Sequence, residues 1–572
     1  VSRGSDSNDD EEVDQARARA RAWAAADPDA DTRAETEALV LAGDDEVLRA
    51  RFSGHLGFGT AGIRGPVGVG PQRVNRLVVR LVADALGDRV GHGARVVVGH
   101  DARLRSDVFA DDVAGVLRAR GVDVVELGAV PTPVVAFSVG HLGAAAGVMV
   151  TASHNPPSDN GLKVYGADGA QVVAPLDAQL AAALAGDPRA LPDPVPAPAG
   201  TASGRREELL GAYLDAVVVS AVGPAASSGP GPRIAYSPLH GVGGELTVAA
   251  LARAGFTDVH EVADQRRPDG RFPTVPTPNP EAHEALDHVL ALGDEVGADL
   301  VLAHDPDADR LAVAVPAGDG GSGWWILSGD EVGALLGEHL LARAGGSTPR
   351  PLVVSTFAGS RLLARIAAHH DAVHVETPPG FKWVMRSVLE HPELRFTFAY
   401  EEALGFAVGG HVRDKDAIAA ALAVADLVRV LAADGRTLAD EADRLARRHG
   451  LHTTSTHAVP IGSAEVGVAV VARLRDDPPA VLGGRTVTAV VDPAPEGPAR
   501  GSAVGLVLAD GSRIVVRPSG TEPKVKCYLE VVEHVDDGPS ALAAARADAE
   551  ARLASLWADL VTFIRRAPAP GR

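Results

Sequence analysis

At 572 residues the chain is too long for one hydrophobic core, and at roughly 100–200 residues per domain it implies three or four. A formal net charge of −21 excludes a general nucleic-acid binder, whose face is basic, and a polybasic membrane anchor, while leaving room for a local cationic pocket. The one cysteine, Cys527, excludes an internal disulfide framework and fits a reducing cytoplasm. No apolar run approaches the roughly 18–20 residues that span a bilayer. Aromatic content is only 4%, so Ala, Val and Leu build the cores.

Residues 1–44 read as a polar, largely helical extension, a tail leading into a surface helix without the apolar segment of a signal peptide. From Arg95 short apolar runs alternate with helical patterns: RVVVGHDARLRSD, VFADDVAGVLRARG, VDVVELGAVPTP, VVAFSVGHLG and AAGVMVTASHNP. That alternation predicts parallel strands with crossover helices. The order recurs from Arg233, ending in ADLVLAHDPDADR, and from Pro351, ending in FTFAYEEALGF. Three αβ domains of one plan follow, over 45–204, 205–325 and 326–449, with mixed or parallel sheets. Residues 450–572 differ: RTVTAVVD and AVGLVLADGSRIVVRPSGTEPKVKCYLEVVE predict antiparallel strands with an Asp-Gly turn, then a helix, a smaller α+β domain. The fold class is therefore α/β, three similar αβα domains plus a C-terminal α+β domain.

Ligands of parallel sheets collect beyond the carboxyl ends of the strands, and the three loops TASHNP, DPDADR and EEALG fall there. In DPDADR, Asp305, Asp307 and Asp309 occupy alternate positions of one turn, and carboxylates so crowded call for a divalent cation. Hard oxygen ligands indicate Mg²⁺. A calcium EF-hand is excluded by Arg310 where the turn glycine belongs and Pro316 where the last glutamate belongs. In TASHNP, Ser153 and His154 lack the G-x-S-x-G elbow of a hydrolase. A phosphate on Ser153 would supply the cation with a further oxygen. RPSGTEPK brings Arg517, Ser519, Gly520, Thr521 and Lys524 into one turn, an oxyanion nest. GFGTAGIRG satisfies G-x-G-x-x-G, but no buried strand precedes it, so Arg64 in that loop reads as a phosphate clamp rather than part of a dinucleotide site. Five lysines stand against 49 arginines. Lys163, Lys382, Lys415, Lys524 and Lys526 are thus candidates for sites needing a compact or titratable ammonium.

Together these motifs resemble the α-D-phosphohexomutase family from about Phe52 to about Phe563, in the family's order and most like its phosphoglucomutase-2 and phosphopentomutase-like branch. The resemblance implies a central cleft among four domains and a phosphosugar mutase that interconverts hexose 1-phosphate and hexose 6-phosphate through a phosphoserine and a 1,6-bisphosphate. It implies that Ser153 carries the phosphate and binds Mg²⁺ with Asp305, Asp307 and Asp309, and that hexose 1,6-bisphosphate is the phosphorylating activator. Arg64, His154 and Arg310 are then phosphoryl-site partners and Lys163 the general acid/base. Thr377, Gly380 and Lys382 of TPPGFKW, with Glu401, contact the substrate sugar, and Arg517, Ser519, Gly520, Thr521 and Lys524 hold the phosphate that is not reacting. The partner implied is a small sugar phosphate, with no nucleic acid and no membrane; the oligomeric state is left open. Ala403 departs from the pattern, standing where many members have a serine in the sugar loop, which opens the choice of sugar. A pentose mutase, a hexose 1,6-bisphosphate synthase and, in other classes, a phosphosugar-binding protein without chemistry or a serine-dependent phosphohydrolase are the competing readings.

Overall fold

The computed structural model describes residues 6–59, 61–197, 203–223, 229–318, 323–346, 348–494, 501–518, 523–538 and 540–566. The chain divides into two compact units, one of Val1–Ser220, Ile234–Leu311 and His411–Ala419, the other of Ala221–Arg233, Ala312–Gly410 and Ala420–Arg572.

In the first unit, β1 (Ile63–Pro66), β2 (Arg95–His100), β3 (Asp123–Ala129), β4 (Ala146–Val150) and β5 (Asp159–Gly166) form a sheet of order β1-β5-β4-β2-β3. β2 runs parallel to β3 and β4, whereas β5 pairs antiparallel with β4 and β1 antiparallel with β5 at the edge. The helices Ser106–Ala119 and Thr132–Leu142 make the crossovers. Strands β2 and β4 are buried along nearly their whole length, as continuous Val-rich runs of a sheet covered on both faces should be. The same plan recurs in β6 (Ile234–Ser237), β7 (Val259–Glu261) and β8 (Leu300–His304): β6 lies parallel between β7 and β8. In both copies the first strand pairs with the second and the third, and the third ends beside it in a polar loop.

The second unit contains the third copy. After the antiparallel pair β9 (Leu311–Pro316) and β10 (Trp324–Leu327), the strands β11 (Pro351–Thr356), β12 (Val373–Thr377), β13 (Arg395–Glu401) and β14 (Gly405–Val408) take the order β12-β11-β13-β14. Again the first strand pairs in parallel with the second and third. The chain ends in an antiparallel sheet of β15 (Leu451–Pro460), β16 (Val481–Leu482), β17 (Arg485–Val491), β18 (Val504–Leu508), β19 (Arg513–Pro518) and β20 (Lys524–Glu533), ordered β15-β20-β19-β18-β17-β16. The Asp510-Gly511 turn joins β18 to β19, with Gly511 at a φ of 84°. The helix Ala541–Arg565 covers this sheet with Ala549, Leu553, Leu556 and Leu560. These two domains interlock within the unit: Glu530 accepts from Ser360 Oγ at 2.8 Å and from Arg361 Nε at 2.6 Å, and Arg513 donates to Glu376 Oε1 at 2.7 Å.

The N-terminal segment departs from the expected surface helix. Ala16, Ala20 and Trp23 of the helix Asp6–Ala26, spaced to share one face, sit in the core of the first domain with Leu48, Phe52 and Leu184. Arg19 of the same helix donates to the carbonyls of Phe52, Gly54 and Leu184. The charged residues between these positions mask an apolar face made mostly of small residues, which also includes Val13 and Ala24. With Trp23 only 1% exposed, Trp23→Ala should cost about 3–5 kcal/mol and lower the Tm of the purified protein in a thermal scan.

Candidate active site

Strands β4 and β8 each deliver a loop from their carboxyl ends. After β4 come Thr151, Ala152 and Ser153, and Ser153 adopts a φ of 52°, in the left-handed region. Its hydroxyl donates to Asp305 Oδ2 at 2.6 Å and lies 3.1 Å from His154 Nδ1. Burial, then the Arg310 and Arg64 guanidinium groups, holds the His154 pKa well below its ordinary value, so the ring is neutral.

After β8 come Asp305, Asp307 and Asp309, all fully buried, each with a carboxylate oxygen within 4.8 Å of the others. Two features of the backbone make so tight a turn. Asp305 Oδ1 accepts from the backbone N–H groups of Asp309 and Arg310, at 3.0 Å each. Gly241, on the loop after β6, lets that loop pass against Pro306, where a Cβ would come within 2.4 Å of the Pro306 carbonyl oxygen. Burial and the neighbouring Asp307 and Asp309 push the Asp305 pKa well up.

Lys163, in the middle of β5, is fully buried and reaches Asp307 Oδ2 at 2.6 Å and Asp309 Oδ2 at 2.5 Å. Burial opposes the ammonium, but the two carboxylates outweigh it and raise its pKa. Thr132, from the Pro-rich loop after β3, donates its hydroxyl to Asp307 Oδ2 and accepts from Lys163 at 3.3 Å. The segment His411–Ala419 completes the first unit. Asp414 accepts from Tyr165 Oη at 2.7 Å and Gln171 at 2.9 Å, Asp416 accepts from Tyr213 Oη at 2.9 Å, and between them Lys415 Nζ lies 3.3 Å from Asp309. Arg64, on β1, approaches Asn155 Oδ1 at 3.4 Å, and Arg310 pairs with Glu281 at 2.9 Å.

The structure thus gathers Ser153, His154, Lys163, Asp305, Asp307, Asp309, Arg64 and Arg310 in the first unit. Lysine scarcity had marked Lys415 as a candidate without a role, and Thr132 carried no signal beyond its place between two prolines.

In the second unit, Thr377 ends β12 and its carbonyl accepts from Phe357 N–H at 2.7 Å. Gly380, at a φ of 112°, precedes the helix Phe381–Glu390, where the Lys382 ammonium lies 5.4 Å from the Trp383 ring centroid. Glu401 ends β13, and the following Glu402 accepts from Thr356 Oγ1 at 2.7 Å. Arg517, on β19, donates to Tyr528 Oη at 3.1 Å. Although burial opposes its charge, Tyr528, Glu402 and Glu401 raise its pKa, so Arg517 and the loop after β13 interact electrostatically. Lys524 opens β20. Ser519, Gly520 and Thr521 lie outside the described residues.

Four family models match the chain: phosphoglucomutase/phosphomannomutase alpha/beta/alpha domain I over residues 55–188, domain II over 211–319, domain III over 328–449 and the C-terminal domain over 488–551. The chain belongs to the phosphoglucomutase/phosphomannomutase family. Like its members named as mutases, it is an isomerase that moves a phosphoryl group. A relative from Haemophilus influenzae named "Probable phosphomannomutase" is 38% identical over 470 residues, 80% of this chain and 93% of that protein. One from Schizosaccharomyces pombe named "Probable phosphoribomutase" is 33% identical over 539 residues, 87% of this chain and 90% of that one. A crystal structure of a phosphoglucomutase/phosphomannomutase family protein from Burkholderia thailandensis shares the fold, with a TM-score of 0.67 at 22% identity, covering 90% of this chain and 99% of the other. No helix among the described residues is long and apolar enough to cross a membrane.

In this phosphohexomutase-family chain the aspartate turn suits a divalent cation. Asp307 Oδ1 and Asp309 Oδ1 are buried with no hydrogen-bond partner among the described residues, and three hard carboxylate donors converge. Asp307→Asn should therefore weaken Mg²⁺ binding, read by titration calorimetry, by more than the about 10- to 100-fold typical of losing a partner that merely orients a ligand.

Proposed function

We propose that the protein interconverts the 1-phosphate and 6-phosphate of a hexose, glucose, mannose or both, through a phosphorylated Ser153 and a hexose 1,6-bisphosphate. The observation that carries this reading is the Ser153 hydroxyl, held 2.6 Å from Asp305 in a turn whose carboxylates keep two oxygens without a partner among the described residues. A serine with a resting role in packing would have no use for that company.

In this reading phosphoserine 153 gives its phosphoryl group to the free hydroxyl of the sugar phosphate. The bond between Oγ and phosphorus breaks, a bond from phosphorus to the sugar oxygen forms, and the hydroxyl proton passes by way of Lys163 to the departing serine oxygen. The bisphosphate turns over and returns its other phosphate to Ser153. Asp305, Asp307, Asp309 and the serine phosphate would hold Mg²⁺, which would supply the positive charge that the transferring group requires. Arg64, Arg310 and neutral His154 complement the phosphoryl oxygens. Lys382 and Glu401, with Thr377 and Gly380, take the sugar, and Arg517, Ser519, Gly520, Thr521 and Lys524 hold the distal phosphate. The small sugar phosphate is the partner, and hexose 1,6-bisphosphate primes the serine.

Ala403 favours a second reading, a pentose 1-phosphate/5-phosphate mutase, because the chain lacks a serine in its sugar loop and one relative bears the name phosphoribomutase.

Phosphorus NMR of purified protein with Mg²⁺, a trace of the matching bisphosphate, and glucose, mannose or ribose 1-phosphate separates the two. Isomerisation of a hexose phosphate is expected, and preference for ribose would move the protein to the pentose reading. Ser153→Ala should abolish turnover in a protein that still folds cooperatively, and full activity in that variant would overturn the mechanism. Inorganic phosphate or bisphosphate as sole product would replace mutase by phosphohydrolase or bisphosphate synthase.

A further inference from the structure

Ser153 is a non-glycine residue in the left-handed region, a conformation that costs about 1–2 kcal/mol for an L-residue and must be held by its surroundings. Its own backbone shows what holds it. The Ser153 N–H donates to Thr151 Oγ1 at 2.8 Å, and the Ser153 carbonyl accepts from Arg103 Nη2 at 2.5 Å. Both main-chain groups of the residue are thus tied to side chains and not to a strand or helix.

Those side chains form one unit. Thr151 donates its hydroxyl to Asp101 Oδ2 at 2.7 Å, while Asp101 Oδ1 accepts from Arg103 N–H at 2.9 Å and Ser106 Oγ at 2.7 Å. The Arg103 guanidinium also donates to the carbonyls of Asn155, of Pro156 at 2.7 Å and of Asp159 at 3.0 Å, so it spans the whole serine loop. Asp101, Arg103 and Thr151 are at most 2% exposed. Their meeting follows from the sheet. β2 and β4 are parallel neighbours in register at His100 and Val150, so Asp101 and Thr151 emerge side by side, and Asp101 N–H bonds to the Val150 carbonyl at 3.0 Å. From the second domain, Phe272 lies with its ring centroid 5.1 Å from the guanidinium, and Gly270 bridges Arg103 so closely that a Cβ would stand 2.7 Å from the Arg103 Cα.

We infer that Asp101, Arg103 and Thr151 are positioning residues for phosphoryl transfer: a clamp that fixes the main chain of Ser153 at both ends and so aims Oγ at the aspartate turn. The inference rests on the reading of Ser153 as the phosphoryl carrier. None of the three touches the reacting atoms. They act by removing the freedom of the residue that does, and displacement of a reacting group by about 1 Å can cost about 100-fold in rate.

The test compares Thr151→Val, which keeps the shape and removes the hydroxyl, with Thr151→Ser, which keeps the hydroxyl, and with Arg103→Lys, whose single ammonium has three donors for a loop of four carbonyls. Steady-state kcat and KM are measured on the sugar phosphate that the wild type isomerises, together with Tm and the single-turnover rate at which Ser153 takes phosphate from the bisphosphate. Thr151→Val and Arg103→Lys should lower kcat and the phosphorylation rate by about 100-fold with KM within about twofold, and Thr151→Ser should stay within about threefold of wild type. Wild-type kcat in folded Thr151→Val, or a loss carried by KM, overturns the clamp. If Thr151→Val does not fold, wild-type kcat in Arg103→Lys overturns it equally. A wild-type protein that isomerises no sugar phosphate defeats the mutase reading instead, and the clamp then stands or falls on the rate of Ser153 phosphorylation alone.

Discussion

Three carboxylates on one turn, fully buried and within 4.8 Å of one another, are the constraint around which the first unit is built. At an effective dielectric of about 20, two such charges about 4 Å apart repel by about 4 kcal/mol, and taking each from water costs several more. The surroundings answer that cost group by group. Asp305 receives two backbone N–H groups, Asp307 and Asp309 share Lys163, Lys415 approaches Asp309, and Thr132 donates to Asp307. What stays unanswered among the described residues is one oxygen each on Asp307 and Asp309, a deficit that a divalent cation would match.

The donors that meet this charge come from widely separated parts of the chain, and the repeated αβ plan is what brings them together. Thr132 lies after the second strand of the first copy, Ser153 after its third, and the aspartates after the third strand of the second copy. Lys415 arrives from a segment that follows the third copy yet packs in the first unit, fastened on either side by Asp414 to Tyr165 and by Asp416 to Tyr213. Buried tyrosine hydroxyls donating to carboxylates make strong, directional contacts, so the ammonium between them is delivered by two fixed points.

Strand alternation, the three strand-end loops and the Asp-Gly turn were legible in the sequence because each is local: a period, a run or a dipeptide. The aspartate turn was legible for the same reason, since crowded carboxylates announce their need within five residues. The clamp on Ser153 was not. RVVVGHDARLRSD reads as a strand entering a helix, and nothing in it tells that Asp101 and Arg103 will serve a loop some fifty residues on, because that pairing depends on β2 and β4 being neighbours in register. The burial of the N-terminal helix is hard to read from its sequence for a different reason. Its buried face is Val13, Ala16, Ala20, Trp23 and Ala24 amid arginines, and small residues leave a faint apolar pattern even where they pack fully.

The economy of lysine in an arginine-rich chain has a structural counterpart at this site. At Lys163 the space between Asp307 and Asp309 admits a compact ammonium that reaches both carboxylates with no solvent exposure. A guanidinium there would be larger, planar and permanently charged. Arg103 shows the opposite requirement: four carbonyls spread along a loop suit a fork of several donors and would leave an ammonium short. The two cations lie in the same unit, one meeting two buried carboxylates and the other holding a length of backbone. The choice between lysine and arginine at each follows from that difference in task.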